Sequence, residues 1–131
     1  MQQKHILDLD SAKRVAAAAE QEAESNGWNV VIAIVDDGGH LMYLQREKVQ
    51  LGSIDVAISK AKAALIFRRP TRFWQDMISG ERPEYLAMPG MLPVEGGLPL
   101  LYGDEVVGAI GVSGVKSNED GIIAQAGVEA L

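Results

Sequence analysis

The sequence predicts an α+β fold in which an antiparallel sheet of about five strands carries flanking helices, within one domain spanning residues 1–131. Three observations lead to this class. Two pairs of apolar runs are separated by short turn sequences, which predicts antiparallel hairpins. Helix-like segments stand before, between and after these hairpins. A chain of 131 residues is long enough for one buried core and too short for two.

The first third of the chain predicts a helix and a hairpin. Residues 10–27 carry an Asp-Ser N-cap, small apolar residues at spacings of three and four, and a closing Asn-Gly pair. Residues 28–35 are β-branched and almost wholly apolar, as in a strand covered on both faces. Residues 36–39 (DDGG) reverse the chain, and residues 40–45 return as the partner strand. The two aspartates would also suit paired-carboxylate acid/base chemistry, but we favour the turn.

A second helix is predicted from Ser53 or Ile54 to about Phe67, and it is apolar over most of its circumference. One side can pack on the sheet, and the other requires a second layer or a second subunit, so we expect a homo-oligomer formed through this helix. Lys60 lies on that second side. Burial disfavours the charged form of a lysine, which would suit Lys60 to act as a base, a nucleophile or an anion clamp. A lysine that extends from the helix edge to solvent explains the pattern equally well.

Two arginines follow this helix, and a short third helix is predicted over residues 72–79, with Thr71 as its N-cap. Arg68 and Arg69 stand at a helix C-terminus, where positive charge is favourable. Their guanidinium groups would also match a carboxylate through two parallel hydrogen bonds.

The rest of the chain predicts a loop, a second hairpin and a last helix. Residues 80–91 are irregular, and a loop of this length is more often functional than idle, so we expect it to form a lid. Residues 98–102 and 106–112 form the hairpin, and residues 117–131 form the helix. Glycines within the second strand of the hairpin indicate a bulge or a close approach by backbone or ligand, or only punctuate the hairpin.

A pocket rim is predicted just before this hairpin. Glu95 is followed by Gly96 and Gly97, so a carboxylate stands beside two backbone amides that no side chain covers. Such amides can stabilise negative charge that develops on a substrate.

The composition excludes several kinds of partner, catalytic chemistry and metal site. The net charge of −6 and a pI of about 4.8 argue against nucleic acid and anionic membranes as partners. The chain has no cysteine, which excludes thiol catalysis and disulfides. No long apolar stretch opens the chain, so we expect a cytoplasmic location. Two histidines without metal-ligand spacing indicate no metal site.

Six segments together resemble the GlcG/HbpS-like family, and they extend over nearly the whole chain: 32–41 (IAIVDDGGHL), 51–64 (LGSIDVAISKAKAA), 67–71 (FRRPT), 92–100 (LPVEGGLPL), 106–114 (VVGAIGVSG) and 124–131 (AQAGVEAL). The resemblance implies a profilin-like or PAS-like single domain that assembles into oligomers. Within the family it implies several activities: extracellular haem-binding sensors, a haem-binding domain fused to cobalamin adenosyltransferases, proteins encoded among glycolate-utilisation genes, and lyases that release ammonia from hydroxylaminobenzoate.

Three interpretations of the function follow from this resemblance. A haem-binding protein needs an axial ligand in an apolar slot, and the candidates are two histidines, two methionines and two tyrosines: His5, His40, Met88, Met91, Tyr85 and Tyr102. We expect His5 to be mobile and His40 to be exposed. A noncatalytic accessory protein, whose motifs serve only the fold and its assembly, is a third interpretation.

The main interpretation is a cofactor-free lyase that acts on a small anionic aromatic such as hydroxylaminobenzoate. Glu95 and Lys60 would be the catalytic groups, with Glu95 as the acid/base. Arg68 or Arg69 would bind the substrate carboxylate, and the amides of Gly96 and Gly97 would stabilise negative charge. Three side chains would enclose the aromatic ring: Phe67, Tyr85 and Met91.

Overall fold

The computed structural model describes residues Met1–Leu131 and contains four α-helices and four β-strands. In chain order these are α1 (Leu9–Ser25), β1 (Val31–Asp36), β2 (Leu41–Gln45), α2 (Gly52–Phe67), α3 (Thr71–Ser79), β3 (Gly97–Tyr102), β4 (Glu105–Ser113) and α4 (Ser117–Glu129). A 3₁₀ turn, Pro83–Ala87, lies between α3 and β3. None of the helices is both long enough and apolar enough to cross a bilayer.

The strands form one antiparallel sheet in the order β2-β1-β4-β3, which confirms the α+β class. The sheet has four strands where the sequence suggested about five. The stretch before the second hairpin contains three prolines, Pro83, Pro89 and Pro93. Because proline donates no ladder hydrogen bond, this stretch forms turns rather than a strand.

Helices cover both faces of the sheet. Ile32 and Ile34 of β1 pack in the core shared with α1 and α4, while Val31, Ala33 and Val35 pack in the clusters that include α2. The alternation follows from the two-residue period of a strand. The central strands are therefore buried on both sides, as their apolar sequence predicts.

The approach of α2 to the sheet depends on Gly111. A Cβ at Gly111 would overlap the carbonyl oxygen of Ala57, so any larger residue would force α2 away from β4. The expected close backbone approach is found at Gly111, and a register shift beside Gly108 agrees with the expected bulge.

Two helix starts differ from the sequence expectation. Helix α1 begins at Leu9 and is capped by Asp8, whose Oδ1 accepts from the amide of Ser11 at 2.8 Å. Thr71 is the first residue of α3 rather than its cap. Its buried hydroxyl accepts from the amide of Gly97 at 2.9 Å, which ties α3 to the start of β3.

Candidate functional site

The largest cleft lies at the end of the sheet where both hairpins turn. It has a volume of about 970 Å³, within the range of small-molecule sites. Four parts of the chain contribute to this cleft: the N-terminal arm, the two hairpin turns and the C-terminal end of α2. We call it the His5 cleft, and its lining residues are Lys4, His5, Asp37, Gly38, Leu65, Ile66, Arg68, Tyr102, Gly103, Asp104, Glu105 and Val106.

His5 is held in this cleft by two groups of the second hairpin. Its Nδ1 lies 2.7 Å from Oε2 of Glu105, and its ring centroid lies 4.5 Å from that of Tyr102. The His5 side chain remains 65% exposed, so this hydrogen bond adds little to stability but orients the ring. The hydrogen bond from His5 also lowers the pKa of the Glu105 carboxyl.

Cations occupy the rim of the His5 cleft. Lys4 pairs with Asp37 at 2.8 Å, and this hydrogen bond raises the pKa of Lys4. Arg68 forms no ion pair within the chain. It is the one non-glycine residue with a positive φ, at 53°, where it caps α2 in the left-handed conformation. A strained, exposed and unpaired arginine beside a cleft is suited to bind an anionic group of a ligand.

The turn of the first hairpin agrees with the structural interpretation of its aspartates. Oδ1 of Asp36 accepts from the amides of Gly38 and His40, each at 2.9 Å. These backbone hydrogen bonds lower the pKa of Asp36. Asp37 is engaged with Lys4 instead, so the two carboxylates do not face each other as an acid/base pair.

A second pocket, of about 420 Å³, surrounds Glu95, as the pocket-rim interpretation expects. The Glu95 side chain is only 17% exposed, and its Oε2 lies 4.0 Å from a guanidinium nitrogen of Arg72. The backbone of Gly96 and Gly97 lines the same pocket, but the Gly97 amide already donates to Thr71. Three carboxylates contribute to the lining, Glu22, Glu95 and Glu129, against the single cation Arg72.

Lys60 lies next to Gly96 but is not part of either lining. Only 1% of the residue is exposed, and its Nζ donates to Oδ2 of Asp120 at 3.0 Å and to the Val112 carbonyl at 2.9 Å. Asp120 is equally buried, and burial raises its pKa against the opposing charge of Lys60. The pair therefore joins α2 to α4. It also engages the Lys60 ammonium group, which the lyase interpretation assigns to catalysis.

The other expected site residues lie outside the pocket that surrounds Glu95. Phe67 and Tyr85 both pack edge-on against Trp74, at centroid distances of 5.3 and 5.5 Å. The guanidinium of Arg69 lies 4.4 Å above the Phe73 ring. Met91 is half-buried in the loop after the 3₁₀ turn, and it lines neither the His5 cleft nor the Glu95 pocket. The structure thus brings Glu95 together with Gly96 and Gly97 and places Arg68 in the His5 cleft.

Sequence reasoning missed the pairing of His5 with Glu105. These residues are 100 positions apart, and no periodicity connects them. The expectation of a mobile His5 came from its place before α1, where the chain has no secondary structure. His40 is exposed, as expected, and does not line the His5 cleft.

The fold and the cleft define a class: a small α+β protein with an open cleft at the hairpin end of an antiparallel sheet. The family model described as haem degrading protein HbpS-like matches residues 7–129. Protein GlcG of Escherichia coli (strain K12) is 37% identical over 115 residues, which cover 86% of this chain and 85% of that protein.

Solved structures agree with the match. A double mutant of HbpS from Streptomyces reticuli superposes with a TM-score of 0.90 at 30% identity, covering 100% of this chain and 90% of that one. A PduOC:haem complex has the same fold, with a TM-score of 0.86 at 24% identity over 97% of this chain and 96% of that one. The chain belongs to the HbpS-like family, which confirms the resemblance seen in its sequence.

Proposed function

We propose that this protein binds haem, or a closely similar planar carboxylated ligand, in the His5 cleft. One observation carries the proposal: Nδ1 of His5 is engaged by Glu105 at 2.7 Å, which leaves Nε2 as the ring nitrogen available to a metal. Neutral imidazole is a common axial ligand of haem iron. Bound haem would supply iron-centred redox and gas-binding chemistry, and the chain would supply the pocket.

Four other lining residues suit a porphyrin by their chemistry, and two of the three carboxylates of the lining, Asp37 and Glu105, are already paired with Lys4 and His5. Leu65, Ile66 and Val106 offer apolar contact, and Tyr102 offers an aromatic ring beside His5. Arg68, which has no partner of its own, is the group we assign to a haem carboxylate. The family description, haem degrading protein HbpS-like, points in the same direction.

A hemin titration of the purified protein tests the proposal. Absorbance in the Soret region should change saturably and in a fixed ratio of hemin to protein, and His5→Ala should lower the affinity at least tenfold. His40→Ala is the matched control, because His40 is the other histidine and lies outside the His5 cleft. If the His5→Ala and unmutated proteins gave superimposable titrations, this assignment would be wrong.

The lyase interpretation remains a second proposal, favoured by the largely buried carboxylate of Glu95 in its own pocket. In this proposal Glu95 is the acid/base, the neighbouring glycine backbone contacts the substrate, and Arg72 is the cation that shares the pocket. Hydroxylaminobenzoate incubated with the protein should release ammonia, and Glu95→Gln should abolish the release. No ammonia from the unmutated protein would end this proposal.

We also propose a homo-oligomer formed through α2. Val56 of this helix is 36% exposed and lies outside the His5 cleft, which leaves apolar surface for a second copy. Size-exclusion chromatography with light scattering should give a multiple of 14.1 kDa, and Val56→Glu should shift the population toward the monomer. Separately, we propose the cytoplasmic location that the sequence predicts, and cell fractionation tests it.

A further inference from the structure

The segment before α1 has no helix or strand of its own, yet one side chain holds His5 at two points. Oε1 of Glu105 accepts from the His5 backbone amide at 3.1 Å, and Oε2 lies 2.7 Å from ring Nδ1 of the same residue. A single carboxylate thus fixes both the backbone and the imidazole of His5. The Tyr102 ring, tilted by 41° against the imidazole, limits the remaining rotation.

The chemistry of the acceptor determines which nitrogen carries the proton. An ionised carboxylate only accepts hydrogen bonds, so Nδ1 must be the donor, and the neutral ring then has its lone pair on Nε2. Burial is not needed for this effect, since the pairing alone selects the tautomer. A carboxylate that accepts from Nδ1 also makes the imidazole a stronger electron donor to a metal bound at Nε2.

We propose that Glu105 is a positioning residue that prepares His5 to ligate iron, by fixing the Nδ1–H tautomer and the ring orientation and by making the imidazole a stronger electron donor to the metal. The inference rests on the proposed haem site and adds to it an assigned role for a residue that does not itself touch the iron. Its consequence is that Glu105 controls the strength of the iron–histidine bond and the reduction potential, beyond any effect on affinity.

Two variants separate these effects. Glu105→Ala removes both hydrogen bonds, and loss of such an outer partner typically lowers metal affinity about 10- to 100-fold. Glu105→Gln keeps an acceptor oxygen for Nδ1 without the charge, so most of the affinity should remain. Because a weaker electron donor stabilises ferric iron less, Glu105→Gln should still raise the Fe(III)/Fe(II) midpoint potential and lower the Fe–histidine stretching frequency in resonance Raman spectra. Glu81→Gln is the control, because it removes an exposed carboxylate outside the cleft.

The protein without hemin gives an independent measurement. At about pH 8.5, two units above the ordinary histidine pKa, the imidazole ¹⁵N shifts of His5 should report a protonated Nδ1 and an unprotonated Nε2. Glu105→Ala should move them toward the mixture seen for exposed histidines. Failure of hemin to bind the unmutated protein would overturn the proposed function, while these shifts would still decide whether Glu105 fixes the tautomer.

One outcome removes the inference and leaves the haem site standing. It is hemin binding that requires His5, combined with unchanged Fe–histidine stretching frequency, midpoint potential and imidazole ¹⁵N shifts in both Glu105 variants.

Discussion

Replacing Arg68 with glycine should make the protein more stable and a weaker hemin binder at the same time. Arg68 is the one non-glycine residue of the chain with a positive φ, and it caps α2 with φ 53° and ψ 39°. Glycine is the residue that most often occupies this position at the end of a helix. An arginine at this position costs stability, and the proposed role of its side chain in the adjoining cleft would offset that cost.

The stability change follows from two opposing contributions. The left-handed conformation costs an L-residue about 1–2 kcal/mol, which glycine avoids. Glycine loses about 0.5–1 kcal/mol more conformational entropy on folding. The net gain should be roughly 0.5–1 kcal/mol, equivalent to an increase of about 2–4 °C in Tm for a domain of this size. Thermal unfolding followed by circular dichroism resolves a change of that size.

The affinity change has the opposite sign. A hydrogen bond between charged groups contributes about 1.5–3 kcal/mol, and Arg68 is exposed, so the lower end applies. Hemin affinity should therefore fall about tenfold in Arg68→Gly. Arg68→Lys should retain most of the affinity, and Arg69→Ala should bind like the unmutated protein, because Arg69 lies on Phe73 and not in the His5 cleft. Equal hemin affinity in Arg68→Gly and Arg68→Lys would refute the assigned role of this arginine.

Three further predictions concern the fold. Lys60→Met leaves the buried Asp120 carboxylate without its partner, so the free energy of urea unfolding should fall by about 3–5 kcal/mol. The double variant Lys60→Met/Asp120→Asn should recover part of this loss. A loss below about 1 kcal/mol in Lys60→Met would contradict the buried pair. Gly111→Ala should destabilise by about 3 kcal/mol because its methyl group meets the Ala57 carbonyl, whereas Gly52→Ala, which meets nothing, should be near neutral. The lowered pKa of Asp36 implies a stabilising contribution that is present above its ordinary pKa and lost as pH falls through the lowered one. Asp36→Asn should therefore flatten the acid limb of the profile of unfolding free energy against pH, and an unchanged acid limb would contradict this contribution.

The sequence predicts most of the fold because the patterns that indicate its helices and strands involve residues close together in the chain. The continuous apolar run of β1, the apolar circumference of α2 and the turn between β3 and β4 all concern residues near one another in the chain. Where the sequence misleads, the competing residue is also local. Asp8 rather than Asp10 caps α1, and an aspartate is an equally good cap at either position.

The candidate site could be predicted only in part, because it depends on contacts between distant residues. The loop at Glu95 was recognisable from a carboxylate beside two glycines, and the structure places it in a pocket. Lys60 was recognisable as a lysine among apolar residues, but its partner Asp120 lies 60 positions away, so its ion pair could not be read. His5 and Glu105 meet only because the arm before α1 crosses the turn between β3 and β4.

The measurement that tests the location of the ligand site most directly is backbone amide chemical-shift mapping with zinc protoporphyrin IX. This probe is diamagnetic and keeps the porphyrin carboxylates and a metal that accepts one histidine. We expect saturable shifts in the His5 cleft, at residues 5, 65, 66, 68 and 102–106, with little change at Gly96, Gly97 and Gly121. Shifts centred instead on those three glycines would place the ligand in the Glu95 pocket and contradict a site built on His5.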